Sequence, residues 1–263
     1  MITLSELAIY PIKSCAQLSL SSAMLSDFGL DLDRRWMLID DRGYMMTQRK
    51  YAAMCLINCA PDDKQLNITA PGMEPLIITQ PEPGNRVTAT VWDDQCSGIY
   101  CGDEAAKWFS DFLKTPARLV FFPQTEFRQC DLKYSQKGDQ TAFSDGFPYL
   151  LISQASLDDL NTRLATQVAM KRFRPNLVVS GNQAFDEDNW KRIRIGDIDF
   201  RLVKPCSRCV IPSIDPETAQ KTAEPVKTLA SYRIRENKIF FGQNVIAEGK
   251  GRLEIGMEVE ILE

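Results

Sequence analysis

Along the chain, short apolar runs alternate with polar residues at a period of two more often than at the helical period. Residues 2–10 read as a strand with partial alternation that stops at Pro11, and a second alternating run follows around Leu18 and Leu20. Residues 27–33 form a turn region around Gly29. Residues 34–40 return as a strand, and Asp41-Arg42-Gly43 makes a tight hairpin turn into Tyr44, Met45 and Met46. Further strands are predicted near 54–58, 65–69, 75–79, 86–92 and 97–100, set apart by Pro, Gly and Asp clusters.

The helical period takes over twice. In residues 102–114, Ala105, Trp108, Phe109, Phe112 and Leu113 fall on one helical face, with Asp103 and Glu104 at the amino end and Lys114 at the carboxyl end, as the helix dipole prefers. A second helix is predicted to open at Ser156 as its capping residue, with Asp158 and Asp159 in the first turn. Between the two lie a buried strand at 119–122 ended by Pro123, a polar connection at 124–139 and an apolar strand at 148–152. Beyond the second helix the chain is mostly strand again. Ile-Gly turns at 194–198 and 254–258 each suit a hairpin, and residues 259–262 read as a closing strand. Many strands with two clear helices predict a barrel-centred α+β fold. A β-rich region is expected at 1–123 and a second domain at 124–263.

Composition narrows the function classes. With 44% apolar and 25% charged residues the chain is an ordinary globular protein with enough length for a real core. No apolar run approaches the roughly 18 residues of a transmembrane helix. Glu6 interrupts the first apolar run and no basic segment precedes it, so no secretory signal is expected and a cytoplasmic protein is. A net charge of −4 leaves no basic excess to neutralise phosphates, so neither a nucleic-acid polymer nor a membrane is an expected partner.

The chain contains no histidine. That removes Ser-His-Asp and Cys-His catalysis, histidine zinc sites and the usual near-neutral proton shuttle. A metal must be held by sulfur or oxygen, or arrive already chelated by an organic cofactor. Of the eight cysteines, most are expected to be reduced, buried, small apolar residues. Cys206 and Cys209 differ from the rest. They sit in residues 204–212, bracketed by Pro205 and Pro212, with Arg208 before the second thiol and Lys204 before the first. Nearby cations favour the thiolate, the form that binds a metal or attacks an electrophile. The prolines and β-prone flanks suit a rigid loop between two strands. From spacing alone a metal ligand, a zinc half-site, a redox dithiol and inert packing all remain open, although no second Cys-x-x-Cys completes a zinc site.

Three basic segments stand at strand margins: Ile12-Lys13-Ser14, Asp33-Arg34-Arg35-Trp36 and Arg172-Phe173-Arg174-Pro175-Asn176. Such side chains suit charge-assisted bonds to a phosphate, but taken singly each reads more readily as solvated charge at a loop end.

Taken together, Tyr10-Pro11-Ile12-Lys13-Ser14, Asp33-Arg34-Arg35-Trp36, Phe173-Arg174-Pro175-Asn176 and Lys204-Pro205-Cys206-Ser207-Arg208-Cys209 resemble the MOSC-domain family. The branch they resemble is that of the mitochondrial amidoxime-reducing component and its bacterial YcbX-like relatives. Asp215-Pro216-Glu217-Thr218 and Phe241-Gly242-Gln243-Asn244 extend the similarity over essentially the whole chain. The resemblance implies an amino-terminal, β-barrel-like MOSC-associated region followed by a MOSC-type β-barrel with a few helices. It also implies the molybdenum cofactor, a metal held by the dithiolene sulfurs of molybdopterin. In that family the second cysteine of the Cys-Ser-Arg-Cys segment supplies the protein's sulfur to molybdenum, which maps to Cys209. Lys13, Ser14, Arg34, Arg174, Asn176, Ser207 and Arg208 match positions that hold the cofactor's phosphate and pterin. Cys206 is expected to support rather than ligate, and Arg208 to help keep the Cys209 sulfur ionised.

Two departures stand out. Relatives carry small hydroxyl-bearing residues after the aspartate at Asp145, where this chain has Gly146 and Phe147. Asp145 itself remains an expected catalytic-pocket residue. The YcbX-like relatives also carry a carboxyl-terminal 2Fe-2S ferredoxin-type domain, whereas this sequence stops at Glu263 after the closing strand. Either the chain is a fragment, or electrons come from a separate donor protein. The activity implied is oxygen-atom abstraction from small N-hydroxylated compounds, amidoximes or hydroxylaminopurines. The alternative is a carrier that binds the cofactor or a sulfur atom without turnover.

Overall fold

The computed structural model describes residues 1–62, 64–82 and 84–263. Among the described residues the strands form four sheets, of nine, four, three and three strands, with short helices between them. The fold is α+β and β-rich, in line with the period-two pattern. No helix among the described residues is long and apolar enough to cross a membrane.

The large sheet runs in the order Val259–Ile261, Arg192–Ile195, Ile198–Ser207, Lys238–Ala247, Tyr149–Ser153, Leu177–Ser180, Thr3–Ile9 and Leu18–Leu20, with Ile234–Arg235 pairing off this path with Lys238–Ala247. Its neighbours are antiparallel except for Tyr149–Ser153 beside Leu177–Ser180, which are parallel and joined through the helix Gln154–Thr162. The first strand of the chain therefore pairs with Leu177–Ser180, far along the sequence. Its partial alternation has a cause: a bulge between Leu4 and Glu6 shifts the register. One face of this sheet carries a core of Leu4, Leu7, Leu151, Leu177, Ile193, Phe200 and Val245.

The four-stranded sheet, Trp36–Ile39, Arg118–Phe121, Asp94–Tyr100 and Arg86–Val91 in spatial order, covers a second core with the helix Asp103–Leu113. Trp36 lies 5.0 Å from Phe121, ring to ring, and Phe109 is fully buried, worth roughly 2–3 kcal/mol for a side chain of this size. The helix ends at Lys114, which adopts a left-handed φ of 55°.

Four sequence expectations are corrected. The apolar stretch near 54–58 is a 3-10 helix, Ala52–Leu56, followed by a strand at Asn58–Asp62; a short apolar run does not by itself distinguish the two. The second helix begins at Gln154, so Ser156 lies inside its first turn. There its hydroxyl donates to Glu187 Oε1 at 2.7 Å instead of capping. The Ile-Gly turn at Gly196 closes a two-residue hairpin, but the one at Gly256 joins strands of different sheets. Residues 204–207 form no separate loop. They are the end of the strand Ile198–Ser207, with Pro205 beside the second of two irregularities in its pairing with Lys238–Ala247. A proline lacks the ladder N–H and is tolerated at such irregularities.

Gly242, in the middle of Lys238–Ala247, is required by space and by backbone. Its φ is +82°, and a Cβ there would lie 2.6 Å from Ile152 Cγ1 and 2.8 Å from the Leu151 carbonyl oxygen. This close approach brings Tyr149–Ser153 against the strand that pairs with the cysteine segment.

Candidate functional site

The four motif segments end at one cleft. Tyr10 to Ser14 follows the first strand of the large sheet, and backbone hydrogen bonds fasten it to the segment around Arg34: Arg34 N–H to the Tyr10 carbonyl at 3.0 Å, Trp36 N–H to Pro11 at 3.0 Å and Lys13 N–H to Trp36 at 2.8 Å. The Phe173-Arg174-Pro175-Asn176 run divides its work by residue. Phe173 is buried against Phe241, with rings 4.5 Å apart, Arg174 turns into the cleft, and Asn176 starts the strand Leu177–Ser180. The cysteine segment arrives at the end of Ile198–Ser207.

Lys13, Ser14, Arg34, Asp145, Arg174, Asn176, Ser207, Arg208 and Cys209 all line this cleft, as does Cys206. The cleft encloses about 140 Å³ and opens to solvent. Three of its residues hold the left-handed backbone that only glycine adopts without strain: Ser14 at φ 69°, Arg34 at 48° and Arg174 at 59°. Each costs roughly 1–2 kcal/mol for a non-glycine residue. Strain of this kind concentrates where side-chain direction matters to function.

Tyr10, fully buried, is the platform of the cleft floor. The Arg34 guanidinium lies 4.3 Å and that of Arg174 4.1 Å from the Tyr10 ring centre. Burial pushes the Tyr10 phenol well above its ordinary range, so it stays neutral. Arg34 Nη1 donates to Asp33 Oδ2 at 2.5 Å and to Asn176 Oδ1 at 2.8 Å. Asn176 Oδ1 also accepts the Leu150 N–H at 3.2 Å, and its Nδ2 donates to the Ala8 carbonyl at 3.1 Å. The amide is thus used to hold Arg34 in place. Arg174 Nη1 donates to the Cys15 carbonyl at 2.7 Å, while its Nη2 is buried without a partner among the described residues. Burial lowers the Arg174 pKa from its ordinary value.

At the other side, Lys13 Nζ donates to the Phe143 carbonyl at 2.8 Å and meets Asp145 Oδ1 at 2.5 Å. Burial lowers the Lys13 pKa to about 8, against the opposing pull of Asp145. Asp145 is 57% exposed at its side chain and also meets Arg49 at 3.3 Å. Desolvation works against its charge, but Lys13, followed by Arg49 and Arg34, holds the carboxyl well below the usual range. Buried Arg128 braces this loop from behind by donating to the Ala142, Ser144 and Asp145 carbonyls.

The cysteine segment corrects one expectation. Arg208 Nη1 points to Cys206 Sγ at 3.2 Å, not to Cys209, and Nη2 donates to the Phe173 carbonyl at 2.7 Å. Residues two apart at the end of an extended strand share a face, whereas adjacent ones point apart. Cys206 and Cys209 are half-buried thiols, and Arg208 Nε has no partner among the described residues. The other six thiols lie elsewhere; burial pushes Cys96 up to about 11 and Cys101 and Cys130 up to about 12, which suits inert packing.

Sequence reasoning passed over Arg49, Ser144 and the role of Tyr10. Tyr10 belongs to the Tyr10-Pro11-Ile12-Lys13-Ser14 motif and so carried a signal; Arg49 carried none. Ser144 Oγ is buried and unpartnered among the described residues on the cleft wall, one position before Asp145, where Gly146 and Phe147 bring no hydroxyl.

Residues 1–116 match the MOSC N-terminal beta barrel domain and residues 138–260 the MOSC domain. The chain is 37% identical to mitochondrial amidoxime-reducing component 1 of Mus musculus, over 99% of this chain and 82% of that protein. It is 37% identical to mitochondrial amidoxime reducing component 2 of Rattus norvegicus, over 97% and 81% of the two chains. With mitochondrial amidoxime-reducing component 1 of Homo sapiens the identity is 35%, over 99% and 83%. At this identity over nearly its full length, the chain belongs to the MOSC-domain family, in the branch of the amidoxime-reducing components.

Proposed function

We propose that the protein is a molybdenum-cofactor-dependent reductase of N-hydroxylated compounds such as amidoximes and hydroxylaminopurines. The observation that carries this reading is the convergence of Lys13, Arg34, Arg174 and Arg208 on one cleft beside Cys209 in a chain of net charge −4. Scattered surface cations have no physical reason to meet. The names of the relatives support the substrate class.

The residues present fit an anionic pterin that carries its own metal. Arg174 Nη2 and Arg208 Nε are unpartnered donors at the cleft. Among the described residues no three His, Cys, Asp or Glu side chains gather to hold a bare ion, so Cys209 suits a metal that brings its other ligands with it. Arg174, Arg208 and Lys13 would take the phosphate and pterin edges, Ser14 and Ser207 would add hydroxyl contacts, and Cys209 would be the protein's sulfur ligand. When bound, the cofactor supplies two-electron oxygen-atom chemistry. The overall change consumes two electrons and two protons, breaks the N–O bond and releases water and the amidine or amine. The electrons come from a separate carrier protein or an iron–sulfur domain of the ferredoxin type.

The chain's own part is binding, orientation and proton handling. No imidazole is present to shuttle protons. Buried Lys13, paired with the exposed Asp145, fills that gap: its ammonium, with a pKa lowered to about 8, holds an exchangeable proton at Nζ while the carboxylate stays ionised.

The test is the molybdenum-to-protein ratio of protein made in cofactor-competent cells, followed by turnover of benzamidoxime with a chemical electron donor. Cys209→Ala is expected to abolish activity and metal retention, and Cys206→Ala to leave a measurable part of both. Equal losses would contradict a single sulfur ligand. Protein that never carries molybdenum or pterin would remove the reading, and cofactor binding without turnover would favour the carrier.

A further inference from the structure

The strands Arg86–Val91 and Asp94–Tyr100 are joined by a two-residue turn, Trp92-Asp93, with Val91 opposite Asp94. Trp92 has φ +57°, a conformation that Asn, Asp or Gly adopts readily at such a turn and that a bulky side chain rarely does. Its ring joins none of the hydrophobic cores and is 41% exposed. It packs instead under Arg49, whose guanidinium lies 4.4 Å from the ring centre and reaches Asp145 on its other side. The turn is fastened in place: Met45 N–H donates to Thr90 at 3.0 Å and Thr90 N–H to Gly43 at 2.8 Å. This brings Tyr44, itself half exposed, alongside. Tyr44, Met45, Tyr51 and Trp92, with Asp40, Arg49 and Lys50, line a depression of about 240 Å³. It shares Thr47 and Arg49 with the cleft described above.

We infer that this depression is the subsite for the aromatic ring of an N-hydroxylated aryl or purine substrate, with Trp92 as its stacking face. The inference rests on the reductase reading and names its substrate class. Aromatic and thioether walls favour a planar π-system, which stacks without regard to its edge substituents. Arg49 and Lys50 outnumber the Asp40 carboxylate, whose Oδ1 already accepts the Arg42 and Tyr44 N–H groups, so the walls disfavour a cationic ring and admit a neutral one. Because Arg49 borders both spaces, a ring seated here directs its N–OH substituent past Thr47 toward Asp145 and the cysteines. The strained turn holds a tryptophan where asparagine would fold more easily, and that is the expected trace of a side chain kept for contact.

The test compares kcat/KM for benzamidoxime with that for acetamidoxime, using a chemical electron donor and protein of measured molybdenum content. Trp92→Ala is expected to lower the benzamidoxime-to-acetamidoxime ratio about tenfold, the scale of one lost stacking contact, chiefly through KM. Trp92→Phe is expected to restore most of it. Trp92→Asn supplies the discriminating arm: it relieves the turn, so the protein should melt at the same or a higher temperature while the ratio still falls. Ratios unchanged in the Ala and Asn variants would overturn the subsite. Calorimetric binding of benzamidoxime separates the two readings: wild-type protein that binds it without turnover, and binds it about tenfold more weakly as Trp92→Ala, keeps the subsite and fails the reductase. Affinity that is undetectable in the wild type, or unaffected by Trp92→Ala, overturns the subsite.

Discussion

The cleft has two basic regions built on different principles. Around Tyr10, Arg34 and Arg174 stack on one buried ring, their backbones are left-handed, and Asp33 and Asn176 hold the Arg34 fork. Around Asp145, Lys13 and Arg49 share one half-exposed carboxylate, and the lysine titrates near 8. The first region has its donors oriented before any ligand arrives. The second is balanced locally, so an incoming anion must compete with Asp145. Fixed geometry and adjustable charge thus sit on opposite sides of one site.

The sharpest way to break this contrast is Arg34→Ala. Exposed cations contribute little to folding, but Arg34 is the charged partner of Asp33, a carboxylate only 1% exposed. Removing it leaves an uncompensated buried charge, and a loss of about 3–5 kcal/mol is expected in urea unfolding. A loss below about 1 kcal/mol would show that the floor is not held this way. Arg174→Ala removes one charged hydrogen bond, to the Cys15 carbonyl, at a cost of roughly 1–3 kcal/mol. Its larger signature is cofactor content, expected to fall about tenfold in affinity and to recover only in part with Arg174→Lys, which lacks the planar fork.

On the Asp145 side the expected effects are smaller and depend on pH. Burial sets the folded Lys13 pKa below that of the unfolded chain. Between about pH 8 and the ordinary lysine range the unfolded chain therefore binds more protons, and this group makes stability rise with pH. Anion affinity moves the other way, because neutral Lys13 no longer attracts a phosphate. Molybdenum retained after dialysis should decline above about pH 8, and Lys13→Arg should flatten that decline. A decline of the same shape in the arginine variant would assign it to another group. Smallest of all, Arg49→Ala should change stability by less than about 1 kcal/mol, since its pair with Asp145 is open to solvent. A larger change in thermal melting would mean that the rim is as firmly built as the floor.

Much was legible in the sequence where local chemistry suffices. Period-two alternation identified most strands, and Ala105, Trp108 and Phe109 identified the first helix, because side-chain direction repeats with backbone geometry. The residues that line the cleft stood in motifs whose order resembled a known family. Helix or strand at 52–58 was not, because a five-residue apolar run satisfies either period. Nor was the partner of Arg208, which depends on how a strand ends and not on which residue is adjacent.

The sequence by itself determined the secondary-structure class, the absence of imidazole chemistry and the residue types available to the cleft, since these are properties of composition and short-range pattern. Only the tertiary structure decided that Lys13, Arg34, Arg174 and Cys209 face one space, that Tyr10 lies beneath two of them, and that Arg49 links Asp145 to Trp92. Those pairings join residues far apart in the chain, as Tyr10 with Arg174 and Lys13 with Cys209. They follow from strand register and burial across sheets, which no local pattern encodes.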